Sequence, residues 1–134
     1  MCPEEYDFFE IPVPPATLQS RWQSEANPEL GLRSIRFSLR HKDIFEQQVR
    51  AILRAASEAG KLRIMFPMIS SLDEFREAKE AVCDCMVSLT RPNLPHHDSP
   101  AICMMIELPS VLEIIDSFAE DADFFSNGTN DFVQ

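Results

Sequence analysis

Apolar positions along the chain change period several times, and each change marks an element. From Asp43 onward, Phe45, Val49, Ile52, Leu53 and Ala56 recur at helical spacing and Gly60 follows as a stop, which predicts a helix over 43–59. LRIMFPMI begins directly after that glycine and ends at Ser70 and Ser71, the pattern of a strand buried on both faces, at about 62–67. Ser71 and Glu74 form a capping box ahead of Leu72, Phe75, Val82, Met86 and Leu89, predicting a helix over 71–89. TRPNLPHHDSP reads as a loop by its prolines and its Asn, Asp and Ser content. AICMMIEL then repeats the buried-strand pattern over 101–107. SVLEIIDSFAE predicts a short amphipathic helix with Val111, Ile114, Ile115 and Phe118 inward, and ADFFSNGT a third strand over 122–127. Strands alternating with helices predict right-handed βαβ crossovers, hence an α/β fold with a parallel sheet.

The N-terminal stretch follows a different rule. Pro3, Pro12, Pro14, Pro15 and Pro28 interrupt every helical period, so residues 1–26 read as an extended proline-rich arm with Trp22 as a possible anchor, ahead of a folded region over 27–134.

With 134 residues, of which 45% are apolar and 9% aromatic, the chain is long enough for one domain with a core. The net charge of −10 argues against nucleic acid or an anionic membrane as partner, because both are held by Lys and Arg. Charge is also uneven: Asp98 to Gln134 carries 8 acidic residues and no Lys or Arg, whereas Arg21 to Arg63 carries 9 basic against 5 acidic. Such a division suits an anionic substrate met by a divalent cation, and a solvated acidic face gives the same counts. Cys2, Cys83, Cys85 and Cys103 do not suggest a disulfide framework, and MCPEEYDFFE has acids where a signal peptide needs bases, so the cytoplasm is the expected compartment. No apolar run approaches the roughly 20 residues of a membrane span.

In parallel α/β folds the ligand sits at the carboxyl ends of the strands. The polar residues there are Glu107 after the second apolar run, and Asn130 with Asp131 after the third. Two carboxylates facing one mouth would suit Mg²⁺, which is held by one or two carboxylates plus substrate oxygens. The alternative makes Glu107 an acid at a helix N-terminus and Asp131 a turn residue. Cys83 and Cys85, two apart on a helix, point about 200° apart and do not form a zinc pair with His96 and His97. The methionines of IMFPM and CMMIEL read as core filling.

Four blocks, NPELGLRSIRFSL, QVRAILRAASEAGKLRIMFPMISSLDEFREAKE, MMIELPS and DFFSNGTNDFVQ, resemble in that order the phosphoenolpyruvate-binding barrel domain of enzyme I of the bacterial sugar phosphotransferase system. The resemblance covers about 27–134; the same barrel also occurs in pyruvate phosphate dikinase and phosphoenolpyruvate synthase. It implies a partial (β/α)8 TIM barrel, since a full one takes roughly 250 residues, and a phosphotransferase that passes a phosphoryl group from phosphoenolpyruvate to a histidine and on to a histidine-containing phosphocarrier protein. By the same resemblance Arg33 binds the substrate phosphate, with Arg36 a weaker candidate that can instead pair on the following helix. Asn130 positions the substrate, and Glu107 and Asp131 are Mg²⁺ ligands.

Departures from the family pattern matter too. FVQ stands where the family continues LTQY, and Asn127 where it has Ile. The family's catalytic Cys, a second phosphate-binding Arg, an upstream Arg-bearing strand and the domain with the phosphoryl-accepting His have no counterpart, and Cys103, His41, His96 and His97 do not fill those roles. The chain alone is therefore expected to be inactive. The rival readings are a non-catalytic phosphoenolpyruvate-binding or regulatory module and a degenerate relic. An unclosed barrel exposes two sheet edges, so self-association is also expected unless the arm crosses one of them.

Overall fold

The computed structural model describes residues 34–128 and the backbone of residues 7–10. Its elements run β1 (Asp7–Glu10), α1 (Ser34–Arg40), α2 (Lys42–Ala55), β2 (Leu62–Phe66), α3 (Leu72–Thr90), β3 (Ala101–Ile106), α4 (Pro109–Leu112), α5 (Ile115–Ala119) and β4 (Phe124–Asn127). The four strands form one sheet in chain order, β1-β2-β3-β4, and every pair is parallel. The α/β expectation with its parallel strands thus holds.

Register explains how the core forms. Ile64 lies beside Ile102, and Phe66, Met104 and Phe125 form a row across β2, β3 and β4. In a strand alternate side chains share a face, and Leu62, Ile64, Phe66, Ile102 and Met104 belong to the main core together with residues of all the helices. The helices therefore pack on one face of the sheet. Onto it α2 turns Phe45, Val49 and Leu53, and α3 turns Phe75, Ala78, Val82, Cys85 and Leu89. Four rings then step through this layer edge to face, Phe45 to Phe66 at 6.1 Å, Phe66 to Phe75 at 6.4 Å and Phe75 to Phe118 at 6.0 Å between centroids. The methionine runs do fill core: Met65 and Met104 are buried.

Several boundaries differ from the sequence reading, each for a local reason. Helix α2 stops at Ala55 rather than 59, with Ala56 leaving helical geometry at φ −91° and ψ 16°; Gly60 is no left-handed cap. The stretch expected as one helix after β3 is two short ones, and Ile114, expected inward, is exposed at the break between them while Val111 and Phe118 are buried. Strand β4 begins at Phe124 because Asp123 is used to start it: its carboxylate accepts from Ile102 N at 2.6 Å while its own N–H donates to Ile102 O at 3.0 Å. Arg76 reaches Asp121 at 2.7 Å, and Lys79 donates to the Asp121 carbonyl, so α3 also holds the turn before β4. Asn127 is exposed, so its amide does not enter the apolar layer.

Helix α3 leaves through Asn93, left-handed at φ 55°, a conformation asparagine tolerates. The proline-rich loop beyond it is pinned back on α2 by His97 N donating to Leu53 O at 2.8 Å. Of the arm, Asp7–Glu10 is the described part, and it adds to the sheet as a fourth strand beside β2; Trp22 lies outside the described residues. No helix among the described residues is long and apolar enough to cross a membrane.

Candidate functional site at the carboxyl ends of the strands

The loops that follow β2 and β3, and Gly128 directly after β4, lie at one end of the sheet, as parallel pairing requires. Glu107 is the first residue after β3 and is 5% exposed. Its Oε1 accepts a hydrogen bond from Met68 N, in the loop after β2. A buried carboxylate needs such charge-assisted donors. The bond runs sideways to the neighbouring strand's loop, so Glu107 is more than an acid at the start of α4, whose cap is Leu108.

Met68 can present its N–H because its backbone is left-handed, φ 58°. For a residue with a side chain that geometry costs on the order of 1–3 kcal/mol and persists where the surroundings enforce it. The enforcement is visible. Pro67 and Ile69 on either side are buried, and the Pro67 carbonyl accepts from Ser34 Oγ at 3.4 Å. Ser70 donates twice, from N and Oγ, both at 2.8 Å, to Glu74 Oε2. The other oxygen of Glu74 lies 3.5 Å from Arg36 Nε, so the weaker phosphate candidate has a partner on α3, the second helix after its own, where the sequence reading had offered the helix directly following.

The capping box expected from Ser71 and Glu74 is present in one direction: Glu74 N donates to Ser71 Oγ at 3.2 Å. The return contact goes one residue further, to Ser70. On the third loop, Gly128 N donates to Ile106 O at 3.0 Å, and a Cβ added at Gly128 would lie 3.1 Å from Glu107 Cβ and 3.0 Å from Met105 Sδ. Gly128 thus lets the chain pass close above Glu107.

Of the residues predicted to act, Glu107 lies where the sequence placed it. Arg33, Asn130 and Asp131 lie outside the described residues, and so does the expected approach of Asp131 to Glu107. Ser34, Met68 and Glu74 were not foreseen as parts of this mouth. The S-x-x-E spacing marked Glu74, but only as a cap. Among the described residues no three His, Cys, Asp or Glu side chains gather as a metal site.

Of the cysteines, Cys83, Cys85 and Cys103 are described, and none is among the residues that contact Glu107 above. Burial pushes the Cys103 thiol up to about 12, and burial likewise raises Cys85 to about 11 against the pull of nearby Arg50. Both stay protonated at neutral pH and are poor nucleophiles. Cys83 is exposed on the opposite side of α3 from buried Cys85.

A mouth built from strand-end loops, a buried carboxylate and a parallel sheet wound in chain order defines a class of α/β ligand-binding domains. More narrowly, the chain belongs to the family of PEP-utilising enzymes, whose PEP-binding domain model matches residues 10–134. It is 50% identical over 114 residues to the phosphoenolpyruvate-protein phosphotransferase of Mycoplasma capricolum, covering 85% of this chain and 20% of that protein. To the proteins of the same name from Geobacillus stearothermophilus and Bacillus subtilis it is 47% and 46% identical over 110 residues, 82% of this chain and 19% of theirs. The resemblance to enzyme I carried by the four sequence blocks therefore holds, and the chain spans about a fifth of the length of these relatives.

Proposed function

We propose that this chain is part of the phosphoenolpyruvate-binding barrel of a cytoplasmic phosphoenolpyruvate-protein phosphotransferase, which moves a phosphoryl group to an enzyme histidine and then to a histidine-containing phosphocarrier protein in sugar uptake. The observation that carries this is the convergence on Glu107. Ser34, the neighbour of Arg33, is tied to the loop after β2; that loop donates to Glu107; and Gly128, which leads into Asn130 and Asp131, packs over it. A sheet in unbroken chain order with helices on one face fits part of a closed barrel, in which the order does not reverse as it does in doubly wound sheets.

The donor chemistry fits Mg²⁺: Glu107 offers a hard carboxylate oxygen already oriented by a backbone N–H, and Asp131 would be the second ligand. When bound, Mg²⁺ would neutralise charge on the phosphate oxygens. Arg33 would grip the phosphate through its planar guanidinium, and Asn130 would orient the substrate by its amide. Residues 1–26 would be an arm to the barrel region over 27–134.

Mn²⁺ serves as a paramagnetic stand-in. Phosphoenolpyruvate should increase Mn²⁺ uptake by the chain, read from the free Mn²⁺ resonance, and Glu107→Ala should weaken uptake at least tenfold. Glu107→Gln, which can still accept from Met68 N, controls for folding and should also bind weakly. Absence of phosphoenolpyruvate-dependent uptake in the unmodified chain, or equal uptake by the folded Glu107→Gln variant, would count against the assignment.

A further inference from the structure

Glu74 departs from what its sequence signature requires. In a capping box the glutamate folds back on the N–H of its own cap residue. Here it bypasses Ser71 and takes both donors of Ser70, each at 2.8 Å, while Ser71 Oγ still caps Glu74 N. The carboxylate is therefore directed at the loop between β2 and α3 and does more than cap the helix.

That loop has a specific task. Two residues before Ser70, Met68 is held left-handed and directs its N–H at Glu107 Oε1. A strained backbone of this kind relaxes unless both flanks are fixed. One flank is fixed by buried Pro67 and its bond from Ser34, and the other by buried Ile69 and the Ser70–Glu74 pair. The distant oxygen of Glu74 faces Arg36 on α1, so the same carboxylate joins the helix that follows Arg33 to the loop that aims Glu107.

We infer that Glu74 is a positioning residue: through Ser70 it holds the loop after β2 in the conformation whose Met68 amide orients the Glu107 carboxylate for its ligand. The significance for Mg²⁺ and phosphoenolpyruvate rests on the function proposed above; the mechanical link from Glu74 to Met68 does not.

The test uses the full chain, ¹⁵N-labelled, with amide hydrogen exchange followed residue by residue. Glu74→Ala should speed exchange at Met68 and Ser70 at least tenfold while leaving Ile102 and Met104 in β3 unchanged. It should also weaken phosphoenolpyruvate-dependent Mn²⁺ uptake several-fold. Glu74→Gln, whose amide oxygen can accept from Ser70, should restore most of the Met68 protection. Ser71→Ala removes the helix cap alone and should lower the melting temperature without altering Met68 exchange. Ser70→Ala removes one of the two donors with little risk to folding and should speed Met68 exchange by a smaller factor. Met68 exchange that is unchanged in both Glu74→Ala and Ser70→Ala would overturn the inference, as would an equal rise in Ser71→Ala. A chain that takes up no Mn²⁺ at all would remove the functional reading and leave the exchange measurements to decide the link by themselves.

Discussion

Gly128 and Gly60 differ in what surrounds them, and the difference sets the cost of a methyl group. At Gly60 an added Cβ meets nothing within 4 Å, whereas at Gly128 it meets Glu107 Cβ at 3.1 Å and the Met105 sulfur at 3.0 Å. The methionine can swing aside, but the first carbon of Glu107 is fixed to the backbone. Gly128→Ala should destabilise by about 1–3 kcal/mol through overpacking. Gly60→Ala, with an ordinary φ, should be neutral or stabilise by up to about 1 kcal/mol by restricting the unfolded chain. Urea unfolding of the two variants side by side distinguishes them.

Cys103 gives a pH dependence whose sign follows from its burial. In the unfolded chain the thiol ionises near its ordinary value of 9.0, and in the folded protein near 12. Between those values the native state retains a proton that the unfolded state has lost, so stability falls as pH rises. The contribution is intact below pH 9 and is lost progressively toward 12. Relative to Cys103→Ala, whose site cannot titrate, the unmodified protein should lose stability as pH is raised from 8 to 11 in denaturant titrations.

At the scale of elements, the ladder Phe45–Phe66–Phe75–Phe118 ties α2, β2, α3 and α5 together through rings that are all fully buried. Phe66 stands in its interior with a ring on either side. Phe66→Ala should cost about 3–5 kcal/mol, a large share of a typical domain's stability, and show as a markedly lower unfolding midpoint. Three of its four rings sit in elements that the hydrophobic period revealed, because α2, α3 and β2 each bury a continuous stripe or both faces. Phe118 was legible as an inward residue, but the break before it was not: nothing in SVLEIIDSFAE is a helix breaker, and two buried anchors, Val111 and Phe118, leave Ile114 outside. Likewise β1 was hidden, since four residues inside a proline-rich stretch carry no period of their own and acquire strand geometry from pairing with β2. Glu107 was legible from its place after an apolar run. Glu74's turn toward Ser70 was not, as it depends on where a loop lies in space.

For the molecule as a whole, β1 and β4 each have one strand neighbour among the described residues. Asp7–Glu10 of the arm does cross the β2 edge, the exception made in the sequence reading, but as a strand with one neighbour among the described residues it presents an edge of its own. Unpaired backbone donors and acceptors on parallel edges favour association with a second copy. Light scattering across a concentration series should show mass rising above the monomer; a single monomeric mass throughout would indicate that the edges are covered.

The pairing of β1 with β2 also closes the longest stretch of chain of the three pairings. Phe66 and Met104 become neighbours across α3, and Met104 and Phe125 across the two short helices α4 and α5, whereas Asp7 finds Leu62 across the longer stretch that holds α1 and α2. Loop-closure entropy grows with the segment enclosed, by about 0.6 kcal/mol per doubling for a flexible chain, and must be met before the contact repays it. Until β2 has been synthesised, the Asp7–Glu10 segment has no partner strand among the described residues to extend.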